Sequence, residues 1–161
     1  MNKAITSFAL VAVLTGFAMA LSLAVARHGY PMGVTGVRRL DAIASADTFM
    51  PLAAVYFIAA MLMMVLPLRA ASLVPTNAAD TLHWAVIALF ATIVGCLAAR
   101  WAFGQASAPW ALLDWRFLFV AVVVGCHAAL DQFRRDVLMR TLFFIAFGAA
   151  ALACLFWSFR F

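Results

Sequence analysis

The chain has 161 residues, 68% of them hydrophobic, and carries eleven basic against six acidic side chains for a net charge of +5. Its mean hydropathy of +1.09 excludes an ordinary soluble domain, and the longest polar stretch, 27–47, is too short for a folded domain outside a membrane. The basic residues sit at the ends of apolar blocks, where lipid headgroups neutralise them, so the surplus positive charge does not indicate nucleic acid.

The expected fold is an all-α integral membrane protein, a single domain over 1–161 made of five transmembrane helices with short loops. Each apolar block approaches the roughly 20 residues needed to cross about 30 Å of hydrocarbon. The first predicted helix, about 4–26, follows Lys3 like a signal peptide and contains small-residue motifs at Ala18-Met19-Ala20 and Ala24-Val25-Ala26. It is read as a retained signal anchor, ended by Gly29 and Pro31 with Tyr30 at the interface. Within the following loop, 37–46 is expected to lie at the interface as a short helix, with Arg38, Arg39 and Asp41 facing water.

The second helix is predicted over 48–68, with Pro51 in its first turn and Pro67 at its end. Met50, Met61, Met63 and Met64 on it read as packing residues, since no Cys or His accompanies them in that helix. The third helix is predicted over 80–101. A break at Gly104–Pro109 precedes the fourth, 109–133, with Pro109 at its first position and Asp114 and Arg116 one to two turns inside. The fifth spans 137–156, behind the charged connection 132–136, and Trp157 and Arg160 anchor its end. Merging the last two helices would bury Asp131, Arg134, Arg135 and Asp136 in hydrocarbon at a cost of several kcal/mol.

Five crossings put the termini on opposite sides. Lys3, Arg69, Arg134, Arg135 and Arg140 then share the N-terminal side, and Arg27, Arg38, Arg39, Arg100, Arg116 and Arg160 face the other. These totals are too even for the positive-inside rule to decide, so the N-terminus is placed in the cytoplasm on the strength of Lys3 before a signal-like segment. The preference for Arg over Lys and the abundance of Ala suggest a bacterial inner membrane protein.

Val94-Gly95-Cys96-Leu97-Ala98-Ala99 and Val124-Gly125-Cys126-His127-Ala128-Ala129 echo one another inside the stripes Ala91/Gly95/Ala99 and Ala121/Gly125/Ala129. Such stripes let helix backbones approach closely, and predict a seam between the third and fourth helices. The three cysteines lack metal-ligand or redox spacing and read as small buried side chains.

Two groups of residues are candidates for chemistry. His83 and His127 come out on the N-terminal side, with Asp80 three residues before the first and Asp131 four after the second. A carboxylate on one imidazole nitrogen orients the ring and leaves its other nitrogen for haem b iron or a quinone oxygen. Rotation by about 100° per residue, however, turns His127 away from the Gly125 stripe, and hence from the predicted seam. Interfacial histidines with no cofactor are therefore the preferred expectation. The second group is Arg100, Asp114 and Arg116 among Trp101, Trp110 and Trp115, read as an interfacial ion pair with an anion or lipid site as the alternative.

No phosphate loop, nucleophile elbow or zinc-protease motif is present in the sequence. The function expected is that of a small membrane subunit without its own catalysis, which stabilises or positions other membrane protein subunits in a transport or respiratory complex. The alternatives are a haem- or quinone-interacting electron-transfer protein using His83 and His127, and a small oligomeric transporter. The last is disfavoured because few polar residues are available to line a path.

Overall fold

A computed structural model describes residues 3–65, 75–133 and 135–159. Among them every regular element is helical: α1 (Lys3–Arg27), α2 (Pro31–Ile43), α3 (Ala46–Val65), α4 (Pro75–Ala102), a 3-10 segment (Ala108–Leu113), α5 (Trp115–Phe133) and α6 (Val137–Phe159). Among the described residues four stretches are long and apolar enough to cross a membrane: α1, α2 continued by α3, Asn77–Ala102 within α4, and α6. Within the described residues α5 contributes a shorter apolar run, Val120–Leu130. Arg69, Arg134 and Arg160 lie outside the described residues, as does the predicted end of the second helix at 66–68.

Two helix ends follow directly from glycine. In α1 the N–H of Gly29 donates to Ala26 O and that of Tyr30 to Val25 O. In α4 the N–H of Gly104 donates to Trp101 O and that of Gln105 to Arg100 O. Both are Schellman caps, which need a left-handed residue just past the helix, and φ is 82° at Gly29 and 95° at Gly104. An added Cβ would meet nothing at either position, so the cost of a side chain there lies in the backbone alone. Gly29→Ala and Gly104→Ala are each expected to lower stability by about 1 kcal/mol in detergent unfolding titrations.

Three predicted helix starts differ, the first at α3, which begins at Ala46 and so holds Pro51 inside the helix instead of in its first turn. The third predicted helix is already helical at Pro75, ahead of its expected start near Asp80. The fourth does not run unbroken from 109. Residues 108–113 form the 3-10 segment, and Asp114 is extended (φ −61°, ψ 128°) ahead of α5. Asp114 therefore precedes the helix instead of lying inside it, a position that aspartate favours over the helix interior.

The chain packs as two compact units, residues 1–49 with 87–118 and residues 50–86 with 119–161. In the first, α1 and the latter part of α4 run parallel. Phe8 meets Phe90 at 5.6 Å between ring centroids, Gly16 meets Gly95, and Met19 packs with Cys96 and Ala99. Helix α2 doubles back along α1. A Cβ on Gly33 would lie 2.7 Å from Ser22 O, and one on Gly36 2.6 Å from Ser22 Oγ. Val37, Leu40 and Ala44 close over the Met19 cluster. The segment expected to lie flat at an interface is thus the outer arm of a helical hairpin, with Arg38 and Arg39 exposed and Asp41 half-buried.

The expected small-residue seam is also redirected. A Cβ on Gly95 would run into the backbone of α1 at Ala12 O and, at 2.9 Å, at Gly16 N. A Cβ on Gly125 would meet nothing within 4 Å. The Gly95 stripe serves α1, and the Gly125 position faces open space.

The second unit gathers α3 from Met50 onward, the start of α4, most of α5, and α6. Phe57 stacks on Phe147 at 6.1 Å, and Phe133 on Phe143 at 3.7 Å across the short α5–α6 turn. Asp136 caps α6 by accepting from the Leu138 N–H at 3.1 Å. Met50, Met63 and Met64 are buried, and Met61 Sδ lies 3.5 Å from where a Gly148 Cβ would stand. The three thiols are free.

Candidate functional site

The polar side chains of these apolar helices mostly bond to their own helix. Thr15 Oγ1 donates to Val11 O at 2.7 Å, Ser22 Oγ to Ala18 O at 2.8 Å, Thr92 Oγ1 to Ala88 O at 2.9 Å, and Ser158 Oγ to Cys154 O at 2.7 Å. This back-bonding to the carbonyl one turn earlier removes the hydroxyl from apolar surroundings without a tertiary partner. Against that background one cluster in the second unit stands apart.

Because α4 is helical from at least Pro75, His83 lies two turns or more inside it and is buried, with only 9% of its surface exposed. His127 lies about two turns from the end of α5. The two imidazoles stack with centroids 3.9 Å apart and planes within 11°. His127 was expected to turn away from the third predicted helix. The expectation fails because the Gly125 face on which it rested is open, and a residue two positions on, rotated by about 200°, points inward instead.

The carboxylate assignment changes as well. Asp80 Oδ1 lies 3.3 Å from Nε2 of His127, on the other helix, and is not the partner of its own-helix neighbour His83. Asp131 lies in α5, but its side chain falls outside the described residues. Tyr56, from the middle of α3, completes the group, with its ring 5.9 Å from that of His127.

Tyr56 Oη and His83 Nδ1 are both buried and have no hydrogen-bond partner among the described residues. Each such atom costs about 1–3 kcal/mol. A polar group left unsatisfied in a packed interior calls for a ligand, water or chemical role.

One iron shared between His83 and His127 does not fit this arrangement. Two metal–nitrogen bonds of about 2 Å plus the ring radii would separate the centroids by roughly 6 Å, with nitrogens facing across the metal. Here the rings lie face to face at 3.9 Å. Among the described residues no three His, Cys, Asp or Glu side chains are grouped to hold a metal ion. A hydrogen-bond acceptor such as a quinone oxygen, by contrast, matches a phenol O–H and an imidazole N–H.

The second predicted group is rearranged too. Arg100 Nη2 pairs with Asp41 of α2, and Nη1 donates to Gln105 Oε1 at 3.1 Å. The expected partner, Asp114, lies in the turn before α5, and the Arg116 side chain is outside the described residues. Next to this pair, Arg27 Nη2 donates to Phe103 O at 2.6 Å, with its guanidinium 4.8 Å over the Phe103 ring. The ends of α1 and α4 are thereby tied together. A cavity of about 330 Å³ opens beside Asp41 and Arg100.

Sequence reasoning missed Tyr56 and Asp41. Tyr56 is one of two tyrosines in the chain, and a hydroxyl inside the most continuous apolar block was the available signal. Asp41 gave none, because its role depends on α2 folding back. The chain matches no family model, and neither curated proteins nor solved structures include a significant match to it.

Proposed function

We propose that this chain is a small multi-pass subunit of a larger membrane complex, transport or respiratory, and that its Tyr56–Asp80–His83–His127 cluster binds a quinone-class carrier. In this reading α5 supplies a fifth crossing and the membrane is a bacterial inner membrane with the N-terminus in the cytoplasm. The observation that carries the chemical half is the pair of buried, unpartnered atoms, Tyr56 Oη and His83 Nδ1, beside two stacked imidazoles. A carbonyl-bearing carrier soluble in the bilayer supplies acceptors for both. Asp80 orients His127, and the stack in turn holds His83. In the subunit half of this reading, the large apolar side chains that α1 and α6 expose along their length, among them Leu14, Phe17, Ile145 and Leu152, face lipid or a membrane partner.

The deciding experiment is a visible spectrum of the detergent-purified protein, together with extraction of whatever lipophilic compounds and polypeptides co-purify. Retained quinone without a reduced haem band is the expected result. A haem band lost equally in His83→Ala and His127→Ala would overturn the quinone reading. A partner polypeptide with neither quinone nor chromophore would leave a purely structural subunit. Crossing number has its own check, since cysteines placed at Ser7 and Ser158 should label from opposite sides of the membrane. Labelling of both from one side would rule out five crossings.

A further inference from the structure

We propose that the cavity beside the Asp41–Arg100 pair is the seat of a phospholipid headgroup that carries both a phosphate and a primary ammonium, as phosphatidylethanolamine does. The proposal rests on the chain lying in a membrane but not on the quinone site. Three features of the first unit converge on it. The cavity, about 330 Å³, offers both charge signs side by side, Arg100 and Asp41, with the side chains of Gln105 and Ser107 on its wall. A second cavity of about 350 Å³, lined only by apolar residues including Trp101, Pro109 and Leu112, shares Leu97 with it. Trp101 and Trp110 are exposed around them, as aromatic side chains are at the level of lipid headgroups. A polar pocket joined to an apolar groove at that level has the shape of one headgroup and the start of its acyl chain.

The paired charges select the headgroup. Arg100 uses two of its five N–H donors, on Asp41 and Gln105, and keeps others for a phosphate. Among the described residues Asp41 is engaged through Oδ2 alone, which leaves its other oxygen for an ammonium. A purely anionic headgroup would place its charge against Asp41. A choline headgroup has no N–H to give.

The test uses the full chain in detergent, titrated with phosphatidylethanolamine, phosphatidylcholine and phosphatidylglycerol of matched acyl chains and with soluble glycerophosphoethanolamine, read by native mass spectrometry. The ethanolamine lipid is expected to bind about tenfold more tightly than the other two, the worth of one charge-assisted hydrogen bond. Ala111→Phe, which fills the cavity without touching the ion pair, should remove that preference at unchanged helicity. Asp41→Asn should shift the preference toward phosphatidylglycerol, because Arg100 then stands alone. Equal binding of the three lipids, or a preference that survives Ala111→Phe, would overturn the proposal. Glycerophosphoethanolamine binding as tightly as the lipid would overturn the membrane as the source. Insertion itself is read separately by the Ser7 and Ser158 labelling.

Discussion

Replacing Gly95 by leucine is expected to lower the unfolding free energy by about 3 kcal/mol, the upper range for forcing bulk into a packed interface. The same change at Gly125 should leave it within about 0.5 kcal/mol. The two glycines occupy equivalent places in the V-G-C-x-A-A echo, so pattern alone assigns them equal sensitivity. Their surroundings differ: a Cβ at Gly95 meets the main chain of α1, at Ala12 O and Gly16 N, whereas one at Gly125 meets nothing. Backbone cannot swing aside as the tip of a flexible side chain does, so α1 and α4 must separate along the line that holds Phe8 to Phe90 and Met19 to Cys96. Gly125→Ala should even stabilise α5 slightly, by up to about 1 kcal/mol, as expected for a glycine in an uncrowded helix interior. Unfolding titrations of the detergent-solubilised variants distinguish the two positions. Equal loss at both would mean that the Gly125 face is covered.

The double variant Tyr56→Phe with His83→Phe is expected to bind a short-chain benzoquinone about 100-fold more weakly than the wild type, while unfolding no more easily. Each replacement removes one hydrogen bond to the ligand, worth about a factor of ten, and the two act on separate donors. Stability should hold because neither Tyr56 Oη nor His83 Nδ1 bonds to another described residue. Deleting a buried, unsatisfied polar atom relieves its desolvation penalty, and a phenyl ring at 83 keeps a flat surface for His127 to stack on. Asp80→Asn should weaken binding only about threefold, since Asp80 acts through the orientation of His127. Fluorescence quenching on quinone addition measures all three proteins. Wild-type affinity in the double variant would sink the assignment, and a large loss of stability would mean that these atoms are bonded after all.

Much of the secondary structure was legible because its causes are local. Apolar length marks helices such as α1 and α6, and glycine past a helix end marks the caps at Gly29 and Gly104. Where local reasoning failed, two local rules competed. Pro109 argued for a helix start at 109, but Asp114 favours a place just before a helix, and the structure has a 3-10 segment followed by an extended Asp114.

The sequence by itself determined which residues could matter, namely His83, His127, Asp80 and Arg100, because an imidazole or a charge in so apolar a chain is conspicuous wherever it falls. Only the tertiary structure decided whom each of them meets. A small-residue stripe states that a backbone can come close, not which one, and Gly95 met α1 while Gly125 met nothing. Spacing along a helix proposed Asp80 for His83 and proximity in the chain proposed Asp114 for Arg100, yet Asp80 reached His127 and Arg100 took Asp41. The physical reason is common to all three cases. Helix periodicity fixes the direction of a side chain relative to its own axis, while the rotation of that axis is set by packing against segments distant in sequence.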